Sequence, residues 1–177
     1  AASGMMVRLM SGFFRPERAL KQMAWAAVGF GLAIPISFLL DLQIPVLSFD
    51  VAGENAFKPY LFFGLKFLTL STPFFFAGLV IVLGFTHRRE EIHRIYFADL
   101  VGGGIGCMAA VPVLATFSGP TAILFVSALP FLAASLLFRR IGNTRGAALG
   151  LIGVLGMVLL VGLNEQSPFL RIRWVKS

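Results

Sequence analysis

Five apolar runs, at residues 22–40, 60–85, 96–117, 121–138 and 146–163, occupy most of the chain, and each approaches the roughly 20 residues that a helix needs to cross a bilayer. The hydrocarbon core offers backbone N–H and C=O groups no water, so a spanning segment must satisfy them internally. These runs lack the alternation of a barrel strand and are therefore expected as helices. The fold class predicted is all-α, a polytopic transmembrane bundle of about five helices spanning 22–163. Composition agrees: 58% of the 177 residues are hydrophobic, 13% are charged, Phe occurs 19 times and mean hydropathy is +0.88. A water-soluble fold of this size could not hide so much apolar surface. Pro35, Pro73, Pro112 and Pro130 fall inside the runs, where neighbouring helices or hydroxyls can satisfy the carbonyls they free.

The formal charge of +7 raises the question of nucleic acid. The fifteen Lys and Arg residues, however, sit in short clusters between apolar runs rather than along one face, so no nucleic-acid partner is expected and membrane topology accounts for the clusters. On one side fall Arg8, Arg15, Arg18 and Lys21, then Arg88, Arg89 and Arg94, then Arg139, Arg140 and Arg145. The other side, before the fifth run, has only Lys58, among three acids between residues 41 and 59. The positive-inside rule then puts the N-terminus in the cytoplasm, with a bacterial inner membrane as the expected location. Five full crossings would export Arg171, Arg173 and Lys176. Either the tail is exported despite its charge or one run stops short, and the fifth is the weakest at about 27 Å against a core of about 30 Å.

Residues 1–21 lack the pattern of a secretory signal and read as an amphipathic cytoplasmic lead-in, with Val7, Leu9, Met10, Phe13 and Phe14 opposing Arg8 and Arg15. In the segment 164–177, Leu170 to Val175 alternates apolar and basic residues. That pattern predicts a strand opening a soluble domain in a longer gene product.

Glycine carries the strongest local pattern. Gly104-Ile-Gly106-Cys-Met-Ala109 matches G-x-G-x-x-A formally, but no strand precedes it and residues 124–130 offer no acid, so it is not a nucleotide site. Gly102 and Gly106 instead form G-x-x-x-G, a helix-packing face, and the fifth run repeats the idea with Gly146, Gly150, Gly153 and Gly156. Cys107 lies in the same run and reads as a small buried side chain.

Asp99 and Lys66 are the charged residues lying within apolar runs. At their depths they would stand about 20 Å apart along the membrane normal, too far to pair. Lys66 is therefore expected to snorkel outward. Asp99 is expected in the first turn of its helix, where the dipole favours an anion and Arg88, Arg89 and Arg94 are near in sequence. A structural helix-start role and a ligand or ion role both remain open for it. His87 and His93 flank Glu90 and Glu91 at a spacing that is no metal signature. No metal and no cofactor are predicted, and no nucleophile with an adjacent base or pair of buried carboxylates suggests catalysis.

Two stretches, Pro73-Phe-Phe-Phe-Ala-Gly78 and, after the basic loop, Tyr96-Phe-Ala-Asp99-Leu-Val-Gly102-Gly-Gly-Ile-Gly106, resemble the membrane domain of the spermidine synthase-like integral membrane proteins. The resemblance is most specific between residues 70 and 119. It implies a structural role for Pro73, Gly78, Tyr96, Asp99, Gly102 and Gly106, and a following soluble domain similar to polyamine aminopropyltransferases, entered by a basic strand like Arg171 to Lys176. Ser177 stands where Gly is usual and Gly103 where Ala is usual. None of that family's cosubstrate loop or catalytic acids maps onto this chain, so no activity carries over, and such a domain would favour the cytoplasm. Three roles follow as expectations: a non-catalytic anchoring or regulatory domain; an accessory subunit packed among other membrane helices; and a small transporter, which lacks the expected internal repeat and buried ionisable groups. The partners expected are the lipid bilayer and either other membrane helices or a covalently linked soluble domain.

Overall fold

The computed structural model describes residues 2–9, 18–44, 57–87 and 91–166. Among them the chain is all-α: α1 (Ala2–Leu9), α2 (Ala19–Gln43), α3 (Phe57–His87), α4 (Ile92–Thr116), α5 (Gly119–Arg140) and α6 (Thr144–Gln166). The last five are long and apolar enough to cross a membrane and mark an integral membrane protein. Each overruns its predicted apolar run by several residues at one or both ends, because a helix continues into the polar interface after hydropathy has fallen. For α6 this matters. With 23 residues it extends about 35 Å, so shortness is no reason for the fifth run to stop within the bilayer. The strand expected within 167–177 lies outside the described residues.

The principal contacts run α1 on α3, α3 on α2, α2 on α5 and α5 on α6. Helices continue through all four prolines. Around Pro73 the hydroxyls of Thr69, Ser71 and Thr72 donate to the Leu65, Phe67 and Leu68 carbonyls of their own helix, which hides polar groups on a lipid-facing surface.

The first eight described residues depart from a cytoplasmic lead-in. α1 lies along the second half of α3, with Val7 buried beside Ala26, Leu79 and Leu83. Gly78 makes this approach possible, since a Cβ there would stand 2.6 Å from the Ser3 hydroxyl. An apolar face large enough to bury favours α3 over water as its surroundings. Met10, Phe13, Phe14 and Arg15 lie outside the described residues.

The α5–α6 joint is the tightest. α5 ends in a Schellman turn, with the Gly142 N–H donating to Arg139 O and the Asn143 N–H to Phe138 O, which requires Gly142 at φ +71°. Asn143 then caps α6 by accepting from the Gly146 N–H at 3.0 Å. The next helix therefore starts at once and runs back antiparallel.

Candidate functional site

Along that antiparallel seam, large side chains of α5 meet glycines of α6 in constant register. Phe138 faces Gly146, Ser135 faces Gly150 and Phe131 faces Gly153. A Cβ on Gly150 would stand 2.7 Å from the Ser135 backbone nitrogen, so the two main chains are nearly in contact. Ser135 Oγ donates to Ala147 O at 3.0 Å across the seam. Phe131 also fills the space left by Gly31 on α2, and one ring thus joins three helices. Phe138 is fully buried and meets Trp25 of α2 edge-on at 5.5 Å. At the far end of the seam Asn164 Nδ2 donates to Thr121 Oγ1 at 2.9 Å, and Thr121 Oγ1 lies 2.8 Å from Ser118 Oγ, the N-cap of α5. Both Asn164 and Thr121 are buried.

Lys66 does not snorkel away. Its Nζ bonds Asp41 Oδ1 at 2.9 Å and also donates to Asp41 O at 3.1 Å. α2 runs on to Gln43, so Asp41 belongs to its last turn rather than to a loop, and the ammonium meets both the carboxylate and the negative end of the helix dipole. The Lys66–Asp41 and Asn164–Thr121 joints were missed because both were sought among residues within apolar runs taken singly. An acid one residue past a run, facing a lysine on the adjacent run, is the signal that could have found the first.

The residues singled out by sequence do not converge. Gly78 seats Ser3, and Pro73 is half-buried on α3. Tyr96 and Asp99 are exposed, and nothing lies within 4 Å of the Cβ positions of Gly102, Gly103, Gly104 or Gly106. α4 contains no buried residue. It is held near its ends, where Ile95 lies beside Gly84 of α3 and Phe117 stacks on Phe125 at 5.6 Å. Because α4 starts at Ile92, Asp99 is its eighth residue and lies beyond the first turn, which removes the helix-start role. Cys107 is exposed rather than buried.

Between α2, α3 and α5 an apolar groove of about 350 Å³ is lined by residues including Phe30, Ala77, Val80, Val126 and Ala133. Among the described residues no three His, Cys, Asp or Glu side chains gather where they could hold a metal. What the arrangement does chemically is join helices, by aromatic rings seated on glycines and by polar pairs at the ends of the spans. No family model matches this chain, and no characterised protein or solved structure shows significant similarity to it.

Proposed function

We propose that this chain is a non-catalytic transmembrane anchoring or regulatory domain of a spermidine synthase-like membrane protein. The observation that carries the reading is that Lys66 and Asn164, polar residues within the long apolar helices, pair with Asp41 and Thr121 across helix–helix joints, which suits a scaffold. The Pro73–Gly78 and Tyr96–Gly106 stretches supply the likeness to that family. The test is to read the gene past Ser177. An aminopropyltransferase-like nucleotide-binding domain supports the proposal; a frame without one overturns it.

The same reading places the N-terminus in the cytoplasm of a bacterial inner membrane, on the strength of the basic clusters flanking α2, α4 and α5. With five crossings, residues after Gln166 then emerge on the opposite face. Reporter fusions after Gly142 and after Gln166 test this, with activity on opposite sides expected.

A second reading, an accessory subunit within a larger membrane assembly, is favoured by α4, whose surface is bare along its whole length. A monodisperse, partner-free particle in mild detergent would speak against it.

A further inference from the structure

We infer that α4 is a docking face for a transmembrane helix of a partner polypeptide, one that carries small residues along its contact surface and a single Lys or Arg level with Asp99. Helical spacing puts Asp99, Gly102, Gly106 and Ala110 on one face of α4. All four are exposed, and the two glycines have open space where a Cβ would be. Asp99 lies seven residues, about 10 Å, from the start of a 25-residue helix that crosses the membrane. A carboxylate at that depth is costly unless a cation or donor meets it.

The rest of the molecule shows how this chain treats such groups. Lys66 is met by Asp41 and Asn164 by Thr121, each across a helix joint. Asp99 has no ion pair or hydrogen bond among the described residues. It is also centred on the one face flat enough to admit another helix backbone, so the missing partner and the missing packing call for the same occupant. A second copy fits poorly. A two-fold axis along the membrane normal would set Asp99 beside Asp99 at equal depth, like charge against like charge.

The test uses the whole chain in liposomes, labelled with a fluorescence donor at Cys107, the sole cysteine, which lies off this face. The probe is a synthetic acceptor-labelled helix of about 20 Leu and Ala residues with an Ala-x-x-x-Ala face and one Lys placed about 10 Å from one end. Energy transfer is expected with the Lys peptide. At least about tenfold more peptide is expected to be needed when Lys is replaced by Leu, or when the chain carries Asp99→Asn, a factor ordinary for losing one interface contact. Gly106→Leu is expected to abolish transfer. Since α4 buries no residue of its own, neither variant should disturb the remaining helices, and unchanged Trp25 fluorescence checks this. Equal binding of the Lys and Leu peptides, or no effect of Asp99→Asn, overturns the proposal. So does equally strong transfer between differently labelled copies of the chain without peptide. A disulfide forming within one chain between Cys107 and Val126→Cys would also overturn it, by showing α4 folded back into its own α3–α5 groove.

Discussion

α4 and α6 are both long, glycine-rich helices, yet one is seated along its length and the other touches almost nothing. On α6, Gly146, Gly150 and Gly153 receive Phe138, Ser135 and Phe131, while on α4 Gly102, Gly103, Gly104 and Gly106 face open space. The difference does not lie in the glycines. A glycine removes bulk; a contact forms only where a neighbour presents bulk at the matching height. For α6 the Gly142 turn fixes an antiparallel neighbour whose Phe131 and Phe138, seven residues apart, stand on one face. α4 has no such neighbour in this chain, and it is tethered at Ile95 and Phe117 alone.

The sharpest way to break the comparison is to add the same bulk to both helices. Gly150→Leu must force the α5 and α6 backbones apart and is expected to destabilise the bundle by about 3 kcal/mol. Gly102→Leu, on the open face, should leave stability within about 0.5 kcal/mol of the parent, as surface changes do. Denaturation by sodium dodecyl sulfate, followed by helicity, measures both. If the two variants lose equal stability, the seam is not what holds α6.

Next in size is the ion pair. Lys66→Met strands the Asp41 carboxylate, and because both side chains are about a quarter exposed, the expected loss is discounted to about 2 kcal/mol from the larger cost of breaking a fully buried pair. Adding Asp41→Leu should restore much of it. Failure of the double variant to recover would mean that Lys66 acts through the Asp41 carbonyl alone. Asn164→Leu removes the donor to Thr121 at the end of the seam and is expected to cost about 1 kcal/mol, the ordinary worth of a hydrogen bond between membrane helices.

These joints mark the boundary of what was legible beforehand. The five spans could be read directly, because lipid imposes one requirement on every residue of a run and hydropathy averages over all of them. Pairing is different: it depends on which helix stands beside which. Gly146, Gly150 and Gly153 were recognisable as a packing face, but the same reasoning applied equally to Gly102 and Gly106, and nothing in either stretch names a partner. Lys66 was compared with Asp99, the other charge inside a run, whereas its partner lay one residue past the end of the first run at Asp41. The Asn143 cap and the Gly142 turn were likewise hidden in Ile-Gly-Asn-Thr, a stretch short enough to pass for an unremarked loop.

The smallest expected effect tests the comparison most finely, because its sign should depend on what covers α4. In the chain alone, Gly106→Ala adds a methyl group to open space and removes the backbone freedom that glycine brings to the unfolded state, so it should stabilise by about 0.5 kcal/mol. The same methyl group would hold an approaching helix away from the backbone and weaken any complex formed there. Gly150→Ala, already opposed by the Ser135 backbone at 2.7 Å, should destabilise with or without a partner. A gain in stability for Gly106→Ala alone, turning to a loss once a Lys-bearing helix is supplied, would mark the α4 glycines as a face kept bare for another chain. A gain that persists in its presence would mark them as surface exposed to lipid.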